Sequence, residues 1–233
     1  MNQIILITGS RKGIGRQLTE HFLALGKNVI GCSRSETDLR HELYTHFCLD
    51  VTDEAAVKQM FSQVRQKFER LDVLINNAGI ASMNHFLLTP SITVEKLFST
   101  NFNGTFLCSR EASKIMQKKR YGRIINFSSV AVALDLEGEA IYASSKSAVE
   151  QLSKVMSKEL GGLGITVNCV APTPIDTDLI KAVPKNKIDE LISHQSIKRM
   201  GLIDDVINVI DFFISKKSGF LSGQTIYLGG IIS

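Results

Sequence analysis

Residues 4–15 read IILITGSRKGIG, an apolar and mostly β-branched run followed at once by an octet, TGSRKGIG, with glycines at 9, 13 and 15. A short apolar run closed by a glycine turn is the signature of a buried strand. The amphipathic RQLTEHFLAL that follows, ended by Gly26, reads as a helix with its stop signal. Strand, turn and helix in that order leave the amides of a helix N-terminus pointing at the end of the strand. There the helix dipole favours an anion, and the missing side chains let a pyrophosphate come close. The GxxxGxG spacing at the first strand–helix junction therefore points to a dinucleotide site.

Outward from this turn the alternation repeats. The runs NVIGC at 28–32, HFCL at 46–49, DVLI at 72–75, RIINF at 123–127, TVNCV at 166–170 and TIYL at 225–228 are separated by amphipathic stretches, one of them EAAVKQMFSQVRQKF, opened by Asp53 and Glu54. Seven strands with helices between them predict an α/β fold with a parallel sheet covered on both faces. Neither a composition break nor a low-complexity linker divides residues 1–233, so the reading is one domain. The proline-bearing APTP at 171–174 opens a long excursion, 173–201, of the kind that serves as a binding loop or lid.

Composition narrows the partners. A net charge of +4 with dispersed basic residues is too mild to call for nucleic acid. The one basic run, QKKRYGR at 117–123, reads as the last turn of a helix, where cations complement the dipole. Cys32, Cys48, Cys108 and Cys169 are scattered in apolar stretches and read as reduced core residues of a cytoplasmic protein. The five histidines do not cluster at metal-ligand spacing. MNQIILITG lacks a basic leader, and no apolar run nears the roughly 18 residues of a membrane span, so no membrane partner is expected.

The stretch IYASSK at 141–146 sets Tyr142 and Lys146 four apart, on one helix face, with Cβ atoms about 5–6 Å from each other. Ser129 lies thirteen residues before Tyr142, at the C-terminal end of the fifth strand, where open α/β sheets gather their ligand chemistry. Ser128 is its competitor.

In order and spacing, TGSRKGIG, NNAG at 76–79, Asn101 in STNFNGTF, Ser129 closing GRIINFSS, YASSK, NCVAPTPIDT at 168–177, RMG at 199–201 and SGQTIYLGG at 222–230 resemble the short-chain dehydrogenase/reductase family. The resemblance covers essentially the whole chain and is strongest to the 3-oxoacyl-(acyl-carrier-protein) reductase group. It implies a doubly wound Rossmann fold with strand order 3-2-1-4-5-6-7, nicotinamide chemistry and a homotetramer. It also implies a catalytic set of Asn101, Ser129, Tyr142 and Lys146, with Ser129 favoured over Ser128 and Asn101 holding water in a proton relay to Lys146. The implied cofactor contacts are Gly9, Ser10, Arg11, Lys12, Gly13, Ile14 and Gly15 in the turn, Asp50 and Val51 at the adenine, and Asn77, Ala78 and Gly79 along the ribose. Tyr142, Lys146, Ile175 and Thr177 complete them toward the nicotinamide.

Two positions depart from the family pattern. Thr173 stands where the family has glycine after proline, and a threonine cannot take positive φ cheaply, so the backbone beside the nicotinamide is expected to differ. Leu163 stands where the carrier-protein reductases place a second docking base to partner Arg120.

A carbonyl being reduced needs a proton on oxygen as hydride reaches carbon. Tyr142 is read as the donor and Ser129 as the hydroxyl that polarises the carbonyl. Lys146 is expected to lower the phenol's pKa, because a charge about 4 Å away at an effective dielectric of about 20 is worth roughly 4 kcal/mol. Desolvation opposes that shift. The acid about 20 residues past the turn that NAD enzymes use is absent. Ser33 followed by Arg34 stands there, with Lys12 across the turn, which predicts NADP(H). The function expected is NADPH-dependent reduction of a keto group to a secondary alcohol, with 3-oxoacyl thioesters among the substrates. The alternatives are another small carbonyl or sugar, or a non-catalytic dinucleotide-binding subunit. AVEQLSKVMSKEL, 148–160, offers an apolar stripe wide enough for both core and a second copy of the chain.

Overall fold

The computed structural model describes residues 3–176 and 185–232. Its strands are β1 (Ile4–Thr8), β2 (Asn28–Ser33), β3 (Tyr44–Cys48), β4 (Val73–Asn76), β5 (Gly122–Phe127), β6 (Ile165–Ala171) and β7 (Thr225–Tyr227). All pair in parallel in the order β3-β2-β1-β4-β5-β6-β7, the expected Rossmann topology. The helices are α1 (Gly13–Ala24), α2 (Glu54–Phe68), α3 (Ser91–Leu97), α4 (Gly104–Met116), α5 (Ala131–Leu134), α6 (Ala140–Gly161), α7 (Lys185–His194) and α8 (Ile203–Ile214).

The period of two in each strand divides the core into two layers. Ile4 and Leu6 of β1 join Val57, Met60, Leu107 and Met156 under α2, α4 and α6. Ile5 and Ile7 join Leu18, Phe22, Val206 and Phe213 under α1 and α8. Every residue of β1 is buried, as a central parallel strand requires. Cutting such a side chain to alanine, as in Leu6→Ala, costs about 2–5 kcal/mol.

Local signals fix the ends. Asp53 caps α2 by accepting from the amides of Ala55 and Ala56, and Gly26 follows α1 at φ 68°. Lys118 and Lys119 close α4 in a short 3₁₀ turn, and Arg120 takes a left-handed φ of 48° while donating to the Gly162 carbonyl at 2.7 Å. The basic run is thus the end of a helix, and Leu163 packs against the core.

Two expectations are corrected. The excursion at 173–201 is not a plain loop, because Lys185–His194 forms α7, steadied by the Lys187–Glu190 ion pair one turn along. Residues 177–184 of that segment, with the expected cofactor contact Thr177, lie outside the described residues. Cys32, Cys108 and Cys169 are buried, but Cys48 is exposed, since it ends the edge strand β3. Among the described residues no helix is long and apolar enough to cross a membrane, and no cluster of His, Cys, Asp or Glu is arranged to hold a metal.

Candidate active site

Strand order reverses between β1 and β4, and the turn after β1 lies at that crevice. Gly9 and Gly13 stand at φ 69° and 57°, a region costly for other residues. A Cβ on Gly15 would lie 2.3 Å from the Gly9 carbonyl oxygen, so only glycine lets α1 start so close to the turn. No side chain caps α1, and its first turn holds no acid, which leaves its N-terminal amides available to an anion. Over them lies a cleft of about 670 Å³ lined by the turn, by Ser33 and Arg34 at the end of β2, by Asp50 and Val51, and by Asn77, Ala78 and Gly79 after β4. The left-handed glycines, the uncapped helix and the cleft fit the pyrophosphate of a dinucleotide.

Not every expected contact reaches the cleft in the same way. The Asn77 amide is a strut, donating to the carbonyls of Thr8 at 2.9 Å and Gly9 at 3.2 Å, while Thr8 Oγ1 accepts from the backbone N–H groups of Asn77 and Ala78. Asp50 accepts from the Thr52 amide and so closes its own turn. Ser10 is fully buried beneath the turn, its hydroxyl against Tyr44. Arg11, Lys12 and Arg34 are exposed around the cleft.

The cleft runs on, past Ile14, Gly79, Ile80 and Glu139, into a smaller pocket of about 180 Å³ that gathers Ser129, Tyr142, Lys146 and Ile175. The two serines part company here. Ser128 is buried and donates to the Glu150 carboxylate, whereas Ser129 lines the pocket beside Tyr142, its Oγ accepting from the Ala131 amide at 3.2 Å.

The expected downward shift of Tyr142 is not found. Burial dominates and pushes the phenol up to about 12, against the Ser129 hydrogen bond and with Glu139 adding to the rise. Lys146 is likewise driven down to about 8 by burial, and its ammonium donates to the Phe127 carbonyl at 2.8 Å. For both groups burial is the leading cause, and the ammonium is bonded to β5 instead of the phenol.

Asn101 sits in a π-helical turn, Phe98–Asn103, between α3 and α4. Its Oδ1 accepts from the Ile80 amide at 2.9 Å, and its Nδ2 donates to the Ile80 carbonyl and to Ser145 Oγ, each at 3.0 Å. Both amide protons are therefore engaged with protein. A Cβ on Gly79 would lie 3.2 Å from Asn101 Oδ1 and 3.4 Å from Lys146 Nζ, so glycine lets the chain pass between them. Thr173 has no positive φ and is buried, and its side chain would meet a Cβ on Gly201 or Gly229 at 2.8 Å. Those two glycines make the room that threonine needs, without strain in its own backbone.

Sequence reasoning missed several supporting groups. Glu150, one turn after Lys146, accepts from Ser128 and from Tyr227 of β7, joining the segment just after β5, and β7, to α6. Asn76 and Asn126, partners on adjacent strands, bond each other and Ser109 and Ser153, which ties the sheet to α4 and α6. Ser145, within YASSK, holds Asn101. Only the spacing of Glu150 from Lys146 signalled any of these.

A doubly wound parallel sheet with a glycine-turn cleft opening onto a Ser–Tyr–Lys pocket defines a dinucleotide-dependent oxidoreductase. The chain belongs to the short-chain dehydrogenase family, whose model matches residues 3–188. It is 32% identical over 234 residues to the 3-oxoacyl-[acyl-carrier-protein] reductase FabG of Escherichia coli (strain K12), covering 98% of this chain and 96% of that protein. To the FabG of Staphylococcus aureus (strain Mu50) it is 33% identical over 240 residues, covering 99% and 98%. Among solved structures, ElxO with NADP bound superposes with a TM-score of 0.91 at 33% identity over 99% of this chain and 98% of that one. The ligand-free aldohexose dehydrogenase of Thermoplasma acidophilum gives 0.89 at 27% identity over 99% and 94%. The protein is an oxidoreductase of this family, and its cofactor is a nicotinamide dinucleotide.

Proposed function

We propose that the protein is an NADPH-dependent reductase that converts a keto group to a secondary alcohol, with 3-oxoacyl thioesters as its substrate class. The observation that carries this reading is Tyr142, a phenol that shares with Ser129 and Lys146 a pocket continuous with the cofactor cleft. A phenol pushed up to about 12 keeps its proton at neutral pH, the form a reductase needs in its acid. Bound NADPH supplies the hydride. Tyr142 gives its proton to the carbonyl oxygen, Ser129 donates a hydrogen bond to the same oxygen, and Lys146 places a cation beneath the developing charge. Asn101 holds Ile80 and Ser145 and so fixes the wall between Gly79 and α6.

NADPH is favoured because no acid stands at the end of β2. Ser33 is there instead, and Arg11, Lys12 and Arg34 line the cleft with side chains that have no ion pair or hydrogen bond among the described residues. The name shared by the bacterial relatives supports the thioester class, and ElxO supports the phosphate. Arg120 is committed to Gly162 and Leu163 to the core, so acyl carrier protein is not required and coenzyme A thioesters serve comparably. The chain pairs with copies of itself across α4 and α6, where Phe106 and Val155 remain exposed among otherwise covered apolar residues. A homotetramer is the expected product. Light scattering at micromolar concentration checks it, and a monomer contradicts it.

The test of function is direct. Purified protein is given NADPH with acetoacetyl-coenzyme A and a panel of small ketones, and cofactor absorbance is followed. Oxidation with the thioester supports the reading. Tight NADPH binding with no turnover on any member would leave a dinucleotide-binding subunit instead.

A further inference from the structure

Behind the cleft, four side chains form one hydrogen-bonded line that the catalysis does not use. Ser10 Oγ, buried under the glycine turn, meets the Tyr44 phenol at 3.0 Å, and the phenol reaches His46 Nδ1 at 3.0 Å. His46 Nε2 then lies 3.1 Å from Ser33 Oγ at the end of β2. Ser33 donates to the Ser35 carbonyl at 2.8 Å, which is also 3.2 Å from His46 Nε2. The backbone makes room for the line. A Cβ at Gly31 would stand 2.2 Å from the Tyr44 hydroxyl and 2.3 Å from Ser10 Oγ, so glycine in the middle of β2 is the condition for their meeting.

The line has a direction. Ser33 spends its only proton on the Ser35 carbonyl, so the hydrogen at the Ser33–His46 contact belongs to Nε2, and Nδ1 accepts from Tyr44. Tyr44 in turn accepts from Ser10. The charged and polar groups around the ring are Arg11 from the glycine turn, Glu36 and Arg40 between β2 and β3, the Ser35 carbonyl, and Tyr44 on its own strand. Burial and the two arginines hold the imidazole below its usual pKa, against the Ser35 carbonyl and Glu36, which favours the neutral ring this polarity needs.

We infer that His46, held by Tyr44, is a specificity-determining positioning residue for the cofactor's 2′-phosphate, an inference that rests on the NADPH reading above. The imidazole satisfies a lone pair of Ser33 Oγ from behind and fixes where that oxygen stands. The hydroxyl proton then turns from the Ser35 carbonyl to a phosphate oxygen, exchanging a neutral acceptor for an anionic one, while Ser33 stays hydrogen-bonded. NADH offers no such acceptor, so it gains nothing from the line.

Binding of NADPH and NADH, followed by cofactor fluorescence in wild type and variants, tests this without any substrate. His46→Phe is expected to weaken NADPH about tenfold, the effect of one hydrogen bond, and to leave NADH within about twofold. His46→Gln, which keeps an N–H donor toward Ser33, recovers most of the loss. Tyr44→Phe removes one hydroxyl and decides the matter independently should His46→Phe not fold, since it must weaken NADPH more than NADH. Variants that weaken both cofactors equally, or neither, while the wild type prefers NADPH, overturn the role of His46 alone. A wild type that binds both equally overturns the NADPH reading and this inference with it.

Discussion

The two ends of the cleft hold their charge in opposite ways. At the phosphate end Arg11, Lys12 and Arg34 are exposed and open to solvent, so their attraction to an anion is screened and modest. At the catalytic end Asn101 and Lys146 are buried, each engaged with backbone, and burial drives Lys146 down to about 8 and Tyr142 up to about 12. On the function proposed above, recognition is spread over several weak, additive contacts, whereas chemistry is concentrated in a few buried groups. Changes at the first end should grade the enzyme, and changes at the second should stop it.

The sharpest break is expected at Tyr142. Tyr142→Phe should lower kcat for keto reduction by about 10²–10⁴, the usual cost of removing a positioned acid. Its melting temperature and NADPH affinity should stay near wild type. A variant that kept more than a few per cent of wild-type kcat would remove Tyr142 from the role.

Next in size is the cofactor swap. Ser33→Asp with Arg34→Leu should reverse the cofactor preference, because the new carboxylate repels a 2′-phosphate and accepts from a ribose hydroxyl. The kcat with the preferred cofactor should not move. A matching change in kcat would mean that the two ends are coupled.

A smaller effect concerns pH. Lys146 is protonated below about pH 8 and loses its charge above it, so kcat for reduction should fall severalfold as pH rises through that value. NADPH affinity should change little over the same range. Reduction that stayed level well beyond pH 8 would show that the ammonium charge is not used.

The smallest effect is at Arg120. With its guanidinium on the Gly162 carbonyl rather than in a docking patch, Arg120→Glu should leave kcat/KM for a coenzyme A thioester within about twofold of wild type. A strong preference for carrier-linked substrate, lost in the variant, would restore a docking role.

Much of the fold was legible because β1 and its neighbours are buried on both faces, and such strands read as short continuous apolar runs between turns. The glycine turn was legible because its backbone favours glycine at each of its three positions, and Ser129, Tyr142 and Lys146 line one pocket. What sequence could not give was direction. The Tyr142 shift depends on whether Lys146 spends its ammonium on the phenol or on the Phe127 carbonyl, a question of ångströms that spacing along a helix does not answer. Ser10 and Asn77 lie in the right motifs, yet their side chains turn to Tyr44 and to the turn's own carbonyls. Helix α7 was hidden because the prolines at 172 and 174 gave the whole excursion the character of a loop, although they mark only its start.

The account turns on recognition and chemistry being separable along one cleft, and wild-type kinetics test that most directly. Initial rates on a single keto thioester, measured with NADPH and with NADH, should give a kcat/KM about a hundredfold higher for NADPH. That difference should lie in KM, with kcat nearly equal. Equal kcat/KM for the two cofactors, or a difference carried by kcat, would contradict it.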